Sequence, residues 1–194
     1  MVRSVAVSMA LLVAVAAVAE AQRAHDRTGL WMGLGLGAGF ARATCSVCGG
    51  RETGPAMQVR VGGTISQSIL AGVEGTGWLQ SGAAGDRSLL MLIALGILYP
   101  SSNHGFHLEA GIGGYRYVEA DTANELSTEG LALHLGARYD LRITRRVSLS
   151  PFATVMASSF GNPTRLDKSS GTRLPLLSDM TVRYIQLGVS ATIH

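Results

Sequence analysis

The chain has 194 residues, 47% of them hydrophobic and 15% charged, and a formal net charge of +3. Nearly all the positive charge comes from arginines spread along the chain, which excludes the continuous basic stripe of a nucleic-acid-binding surface. About 170 residues follow a short leader, which is the length of one domain.

The leader, residues 1–21, is predicted to be a secretory signal peptide. Arg3 precedes the apolar run VAVSMALLVAVAAVA, and Ala19-Glu20-Ala21 fits the small-residue pattern of a cleavage site. The run is short for a membrane-spanning helix, so we favour a signal peptide over an anchor. We therefore expect the protein to be exported.

From residue 30 onward, apolar residues alternate with polar residues or glycine, which is the period of β-strands. In LWMGLGLGAGFAR the even positions carry large apolar side chains and the odd positions are mostly glycine. One segment, 88–99, is apolar at both sets of positions. The alternation predicts eight strands of about ten or more residues, at 30–42, 56–64, 69–80, 88–99, 105–118, 130–141, 147–158 and 181–193.

The connections between these strands alternate in length. Short ones are expected near 64–67, 100–105 and 144–146, and longer ones at CSVCGGRETGP, SGAAGDR, EADTANELSTE and about 159–180, the last as a mobile, solvated loop. An apolar exported chain of this kind is either a soluble β-sandwich or barrel, or a transmembrane β-barrel. The charges share one face with the glycines while the opposite face is nearly uncharged, and this favours the transmembrane barrel.

Aromatic residues are expected to form two girdles at the membrane interfaces. One group falls near one end of the predicted strands and the other group near the opposite end. The first comprises Trp31, Tyr99, Phe106 and Tyr139, and the second comprises Phe40, Trp78, Tyr117, Phe160 and Tyr184.

The stretches GLGLGAGF, LYPSSNHGFHLEAGIGGYRY and YIQLGVSATIH resemble the small eight-stranded outer-membrane β-barrels of the OmpA, OmpX and OmpW-like superfamily. The resemblance implies an all-β fold, an eight-stranded antiparallel up-and-down transmembrane β-barrel. It also implies the outer membrane of a Gram-negative-type bacterium, contact with outer-membrane lipid and lipopolysaccharide, and a monomer. Residues 22–29 would be an N-terminal periplasmic segment and 30–194 the barrel domain. Such chains usually end in an aromatic residue, whereas this one ends in His194.

Polar residues on the glycine-bearing face are expected to point into the barrel, where buried charges must be paired. We predict that Arg60 lies near Glu74, with Glu109 opposite Arg138 and His107 opposite Asp140. A catalytic cluster or a proton path is the alternative to a charge-compensated core. The predicted lumen network comprises Arg60, Glu74, His107, Glu109, His134, Arg138 and Asp140, with Gln58 and Gln186 on the same face.

Cys45 and Cys48, the two cysteines of the chain, lie in ATCSVCGGRE. This stretch would be the tip of the first outer loop, and an oxidising compartment favours a disulfide between them. A redox couple would need a supply of electrons there, and a metal site would need about four ligands. We therefore predict a disulfide and neither a metal site nor a cofactor.

The expected function is structural or surface-interacting, with the outer loops as the contact surface for ligands. A narrow channel for small or apolar solutes is the first alternative, and a lipid-modifying enzyme is the second. A hydrolase would need a histidine and a carboxylate near Ser158 or Ser159 at the outer rim, and no histidine is expected at that height. The run GLGLGAG opens no helix, so it is not a phosphate-binding motif.

Overall fold

In the computed structural model the chain is described at residues 28–44, 50–82, 85–101, 104–144, 146–159, 161, 163–175 and 180–193. The predicted signal peptide, most of the segment 22–29, and both Cys45 and Cys48 lie outside the described residues. Within the described part of the chain there is no helix long and apolar enough to cross a membrane.

The described chain forms one antiparallel sheet that closes on itself. Its strands are β1 (Leu30–Thr44), β2 (Glu52–Ser66), β3 (Ile69–Gly82), β4 (Gly85–Leu98), β5 (Phe106–Ala120), β6 (Asn124–Tyr139), β7 (Leu141–Arg142), β8 (Val147–Ser158), β9 (Thr164–Asp167), β10 (Arg173–Pro175) and β11 (Thr181–Ile193). The long strands pair in the order β6-β5-β4-β3-β2-β1-β11-β8, and β8 returns to β6. The predicted eight-stranded antiparallel barrel is therefore confirmed.

The two faces of the wall are reversed relative to a soluble barrel. Outward positions carry exposed aliphatic side chains, such as Leu36 at 64% and Leu133 at 62% exposure. Inward positions of the same sheet are buried and include Arg60, Glu74 and Arg138. This arrangement requires apolar surroundings around the wall, because an apolar surface of this extent is unfavourable in water.

The interior has an apolar sector and a polar sector. The middle of strand β4 contributes aliphatic and thioether side chains to the interior, which explains why its sequence is apolar on both faces: Leu89, Met91, Ile93, Leu95 and Ile97. The aromatic rings of Trp78 and Tyr184 pack edge to face next to this sector, with ring centroids 6.4 Å apart. Strands β2, β3, β5 and β6 carry charged residues that form the polar sector.

The predicted aromatic girdles are wrong for several of their members, because those side chains point into the barrel. Five of them are at most 3% exposed: Trp31, Trp78, Tyr99, Tyr117 and Tyr184. Rings of this group fill interior space that neighbouring glycines leave open. A Cβ at Gly39 would overlap the Trp78 ring, and the Trp78 indole donates a hydrogen bond to the Gly39 carbonyl at 3.0 Å. Phe106, at 41% exposure, does face outward.

Several strands extend beyond the predicted bounds. Only residues 83 and 84 separate β3 from β4, and residues 121–123 join β5 to β6, so the two expected longer loops SGAAGDR and EADTANELSTE are mostly strand. At the second turn the Asp121 carboxylate accepts backbone hydrogen bonds from Asn124 and Ala123, and these hold the pKa of Asp121 below its ordinary value.

The expected loop at 159–180 contains regular structure, while its residues 168–175 are exposed as a solvated segment should be. Strands β9 and β10 form a hairpin within it, and β9 pairs with residues 124–127 of β6. The hairpin therefore extends the sheet past the end of β8, on the side of the barrel opposite the turn at Gln67-Ser68. We call this side the loop end.

We predict that Gly39→Val lowers the free energy of unfolding by about 1–3 kcal/mol, the usual cost of overpacking a filled interior. The added methyl groups would collide with Trp78 and Tyr184. Gly75→Val is the matched control, because an added Cβ there meets no atom within 4 Å. Urea unfolding of the folded barrel in micelles measures both. Equal stability of the two variants would contradict this account of the interior.

Candidate functional site

The main polar cluster of the interior is assembled from four strands. Arg60 of β2 lies directly opposite Glu74 of β3 in the sheet register. Glu109 of β5 and Arg138 of β6 reach the same level from across the lumen. All four side chains are at most 3% exposed, so their charges have only one another and nearby polar groups as partners.

The two guanidiniums and two carboxylates form a closed ring of ion pairs, which we call the arginine–glutamate square. Arg60 Nε lies 3.2 Å from Glu74 Oε2, and Arg60 Nη2 lies 2.6 Å from Glu109 Oε2. Arg138 Nη2 lies 3.2 Å from Glu74 Oε2, and Arg138 Nε lies 2.9 Å from Glu109 Oε2. The formal charges of the square sum to zero, which is the condition for placing four charges in a closed interior.

Arg138 connects this square to the rest of the barrel. It donates hydrogen bonds to Gln58 of β2 at 3.2 Å and to Ser190 of β11 at 3.3 Å. Its guanidinium also lies 4.3 Å from the ring centroid of Phe152 on β8, within the range of a cation–π contact. Together with its two glutamate partners, one side chain therefore contacts residues of five other strands across the lumen.

The two interior histidines extend the network in opposite directions. His134 Nε2 lies 3.3 Å from Glu109 Oε1. His107 Nδ1 lies 3.8 Å from Asp140 Oδ2 and 3.3 Å from the Gly105 carbonyl oxygen. Asp140 in turn accepts hydrogen bonds from the hydroxyls of Tyr99 at 2.7 Å and Ser150 at 2.6 Å. The seven residues of the predicted network thus fall into the square with His134 and a separate His107–Asp140 group.

The strand register differs from the expected one by two residues between β5 and β6. Glu109 is opposite Gly136, and His107 is opposite Arg138. The prediction that Glu109 faces Arg138 directly, and His107 faces Asp140, is therefore wrong in register. The Glu109–Arg138 contact is diagonal instead, and the bare Gly136 makes room for it: a Cβ there would lie 2.5 Å from Glu109 Oε1.

A second charged cluster, which we call the mouth triad, lies outside the predicted network. Arg87 of β4 pairs with Glu52 of β2 at 2.9 Å and with Glu119 of β5 at 2.7 Å. Arg87 and Glu119 are the next inward-facing residues after Leu89 on β4 and Tyr117 on β5. The mouth triad therefore crosses the lumen at the loop end. The sequence does carry a signal for it, since Arg87 and Glu119 continue the inward alternation of their strands.

Glu74, Glu109 and His134 also place three potential metal-ligand atoms within 4.8 Å of one another. Both carboxylates are already engaged by guanidiniums. A divalent cation added there would leave two uncompensated positive charges in the interior, so the donor set fits an ion-pair network better than a metal centre. His134 and His107 are equally enclosed, each at 2% exposure.

No protein-family model matches the chain, and no curated protein matches its sequence. Among solved structures, it is similar to Neisserial surface protein A, with 15% identity over 86% of this chain and 97% of that one and a TM-score of 0.61. It is also similar to Ail, the attachment invasion locus protein of Yersinia pestis, in complex with the heparin analogue sucrose octasulfate. That match has 12% identity over 84% of this chain and 99% of that one, and a TM-score of 0.55.

A third similar structure is the outer membrane protein OprG from Pseudomonas aeruginosa, with 12% identity over 87% of this chain, 97% of that chain, and a TM-score of 0.51. At these identities the likeness concerns the fold. The chain has the architecture of small outer-membrane barrels, as the resemblance in its sequence implies.

We predict that Arg138→Met lowers the free energy of unfolding by about 3–5 kcal/mol, because it leaves two buried carboxylates facing one guanidinium. The double variant Arg138→Met/Glu109→Gln restores the charge balance and should recover part of that loss. Urea midpoints measure both, with Arg42→Met, at an exposed position, as a control for losing an arginine. A double variant no more stable than the single one would contradict charge compensation.

Proposed function

We propose that this chain is a non-conducting outer-membrane barrel of a Gram-negative-type bacterium whose function lies on its outer surface, with the loop end as the contact surface for extracellular ligands. The observation that carries the proposal is the filled interior. Its polar sector is crossed by the arginine–glutamate square, its apolar sector is packed by β4, and its loop end is crossed by the mouth triad.

A channel is the alternative, and the contacts of the interior argue against it. A hydrated ion moving through the lumen would have to separate Arg60 from Glu109, whose charged atoms are 2.6 Å apart and buried. Opening this pair removes one of the two ionic partners of each buried group, and breaking a buried ion pair is strongly unfavourable. An eight-stranded barrel has an interior only wide enough for its own side chains or one small ligand.

The loop end offers a surface suited to contact with polar ligands. The β9–β10 hairpin and the ends of β5 and β6 enclose a depression of about 420 Å³. Its lining includes two arginines and two glutamates, and one pair of them, Arg116 and Glu129, is 3.4 Å apart and solvent-exposed. Because such exposed pairs contribute little to stability, their side chains can exchange partners with a ligand at small cost.

Ail, one of the similar structures, is described in complex with a heparin analogue. This supports a contact role for a barrel of this architecture. We propose no enzymatic activity, since a catalytic histidine must reach its substrate and His107 and His134 are enclosed. The disulfide between Cys45 and Cys48 and the cleavage of residues 1–21 stay predictions.

We predict that the purified, folded barrel produces no conductance steps in a planar bilayer and no swelling of liposomes loaded with small sugars. The measurement is single-channel recording with a general porin as the positive control. Stable conductance steps from wild type that disappear on heat unfolding would overturn the closed-interior proposal in favour of the channel.

We also predict that an epitope inserted at the β9–β10 turn, between Ser169 and Ser170, is stained by antibody on intact cells. The same epitope between Gln67 and Ser68 should be stained only after permeabilisation, because that turn lies at the opposite end of the barrel. The reverse pattern would overturn the orientation. Heat-modifiable electrophoretic mobility of both insertion variants checks that they fold as barrels.

A further inference from the structure

A row of arginines lies on the outer wall at the loop end. Arg42 of β1 and Arg183 of β11 are directly opposed in the sheet register. Arg51 immediately precedes β2, whose pairing with β1 ends at Ala41 and Glu52, so continuing that register by one residue brings it beside Arg42. All three are exposed. We call Arg51, Arg42 and Arg183 the arginine row.

The arginine row is unfavourable without a counter-charge. Neighbouring strands are about 4.8 Å apart, and like charges directly opposite one another destabilise a sheet. None of the three guanidiniums forms an ion pair with a carboxylate of the described residues. Arg116, another exposed arginine with a cross-strand neighbour, does have such a partner in Glu129. A bound anion is the arrangement that would compensate the arginine row.

The position of the arginine row indicates which kind of anion it meets. On the side of Arg42 and Arg183 that faces away from the loop end, the next outward-facing pair is Phe40 and Ile185. From there to Leu30 and Ile193, every outward residue of β1 and β11 is apolar. The row therefore stands at the edge of the apolar belt, at the depth where a bilayer places its headgroups.

An apolar groove lies on the same part of the wall, closer to the middle of the belt. It has a volume of about 360 Å³, and its walls include Leu36 of β1, Met57 of β2 and Leu90 of β4. Gly77 of β3 leaves its centre open, because an added Cβ would meet only Met57 at 3.8 Å. Pro55 of β2, another lining residue, brings the groove to within four residues of Arg51 along the chain.

We propose that the arginine row and the groove together bind one phosphate-bearing lipid of the leaflet at the loop end, with its phosphates on the arginines and an acyl chain in the groove. Guanidinium groups bind phosphate oxygens through paired, charge-assisted hydrogen bonds. Below the arginines, the groove offers a largely apolar surface that an acyl chain can contact. This inference rests on the proposed outer-membrane location.

The first experiment uses native mass spectrometry of the full barrel in micelles, with bis-phosphorylated lipid A as the probe and dephosphorylated lipid A and inorganic phosphate as comparisons. We expect wild type to retain the phosphorylated lipid preferentially. Arg42→Gln/Arg183→Gln should weaken that binding by about tenfold or more, since two charge-assisted contacts are lost. Arg142→Gln/Arg146→Gln, at the end of the barrel opposite the loop end and with the same change in net charge, should bind as wild type does.

Three results would overturn the site at the arginine row: equal binding by the two double variants, equal retention of dephosphorylated lipid A by wild type, or inorganic phosphate binding as tightly as the lipid. The last would show that the row is an anion site with no lipid specificity. Binding of a soluble acidic protein or polysaccharide in preference to lipid A would overturn it as well.

The second experiment tests the groove with Gly77→Leu, which fills its centre, against Gly75→Leu on the same face of the same strand. The Gly75 position has open space around it and is outside the groove. We expect only Gly77→Leu to weaken retention of lipid A, by several-fold. Equal retention of lipid A by both variants would overturn the proposal that the groove binds an acyl chain.

A separate readout distinguishes this inference from the location on which it rests. Heat-modifiable electrophoretic mobility and protease protection in vesicles report whether wild type inserts as a barrel. Failure to insert would overturn the outer-membrane proposal itself. Insertion with no preference for phosphorylated lipid would overturn the lipid site alone.

Discussion

The rest of the structure depends on the pairing of Arg60 and Arg138 with Glu74 and Glu109. Four charges in a closed interior are tolerated only when each is neutralised and hydrogen-bonded. Because these residues come from β2, β3, β5 and β6, their pairing fixes how opposite walls of the barrel lie relative to one another. A shift of one residue in any of these strands would turn a charge outward into the apolar surroundings and leave its partner unpaired.

Filling the remaining interior is a problem of volume. The barrel solves it by placing large rings opposite bare backbone, as at Trp78 and Gly39, and by leaving Gly136 bare where Glu109 folds over it. Glycine has a low intrinsic propensity for β-strands. These two glycines on the inner face nevertheless fit, because each lies against a bulky side chain that needs the space. The sequence pattern of β1, aliphatic on one side and glycine on the other, thus reflects two different environments.

Alternation alone is enough to predict the eight long strands and the antiparallel barrel. It is also enough to assign Arg60, Glu74, Glu109 and Arg138 to the interior, because a strand's two faces follow directly from its period of two. Register is not predictable in the same way. The partner of Glu109 depends on how many residues the β5–β6 turn takes, and the tight turn at Asp121 sets the pairing two positions away from the expected one.

The alternation of inward and outward positions along each strand, which we call parity, also explains why some of the sequence-based predictions are wrong. Trp31 stands at an odd position, like the inward-facing glycines of β1, so the sequence does indicate that it points into the lumen. Its place at the end of a strand instead suggests a residue of an interfacial girdle. Arg87 and Glu119 continue the inward alternation of β4 and β5, although charges at the end of an apolar run usually indicate a loop. In a barrel whose interior is polar, charge at a strand end does not separate loop from strand, and parity is the better guide.

Closure of the interior has a consequence for where recognition takes place. A barrel packed by its own side chains can present only its rims and its outer wall to other molecules. Substitutions inside, at Gly39 or Arg138, should then change stability and leave binding unchanged in the fraction that folds. Substitutions outside, at Arg42 or Gly77, should change binding and leave stability nearly unchanged, since they remove like-charge repulsion or fill open space. Adjacent residues of one strand point to opposite faces of the wall, and this alternation separates the two properties.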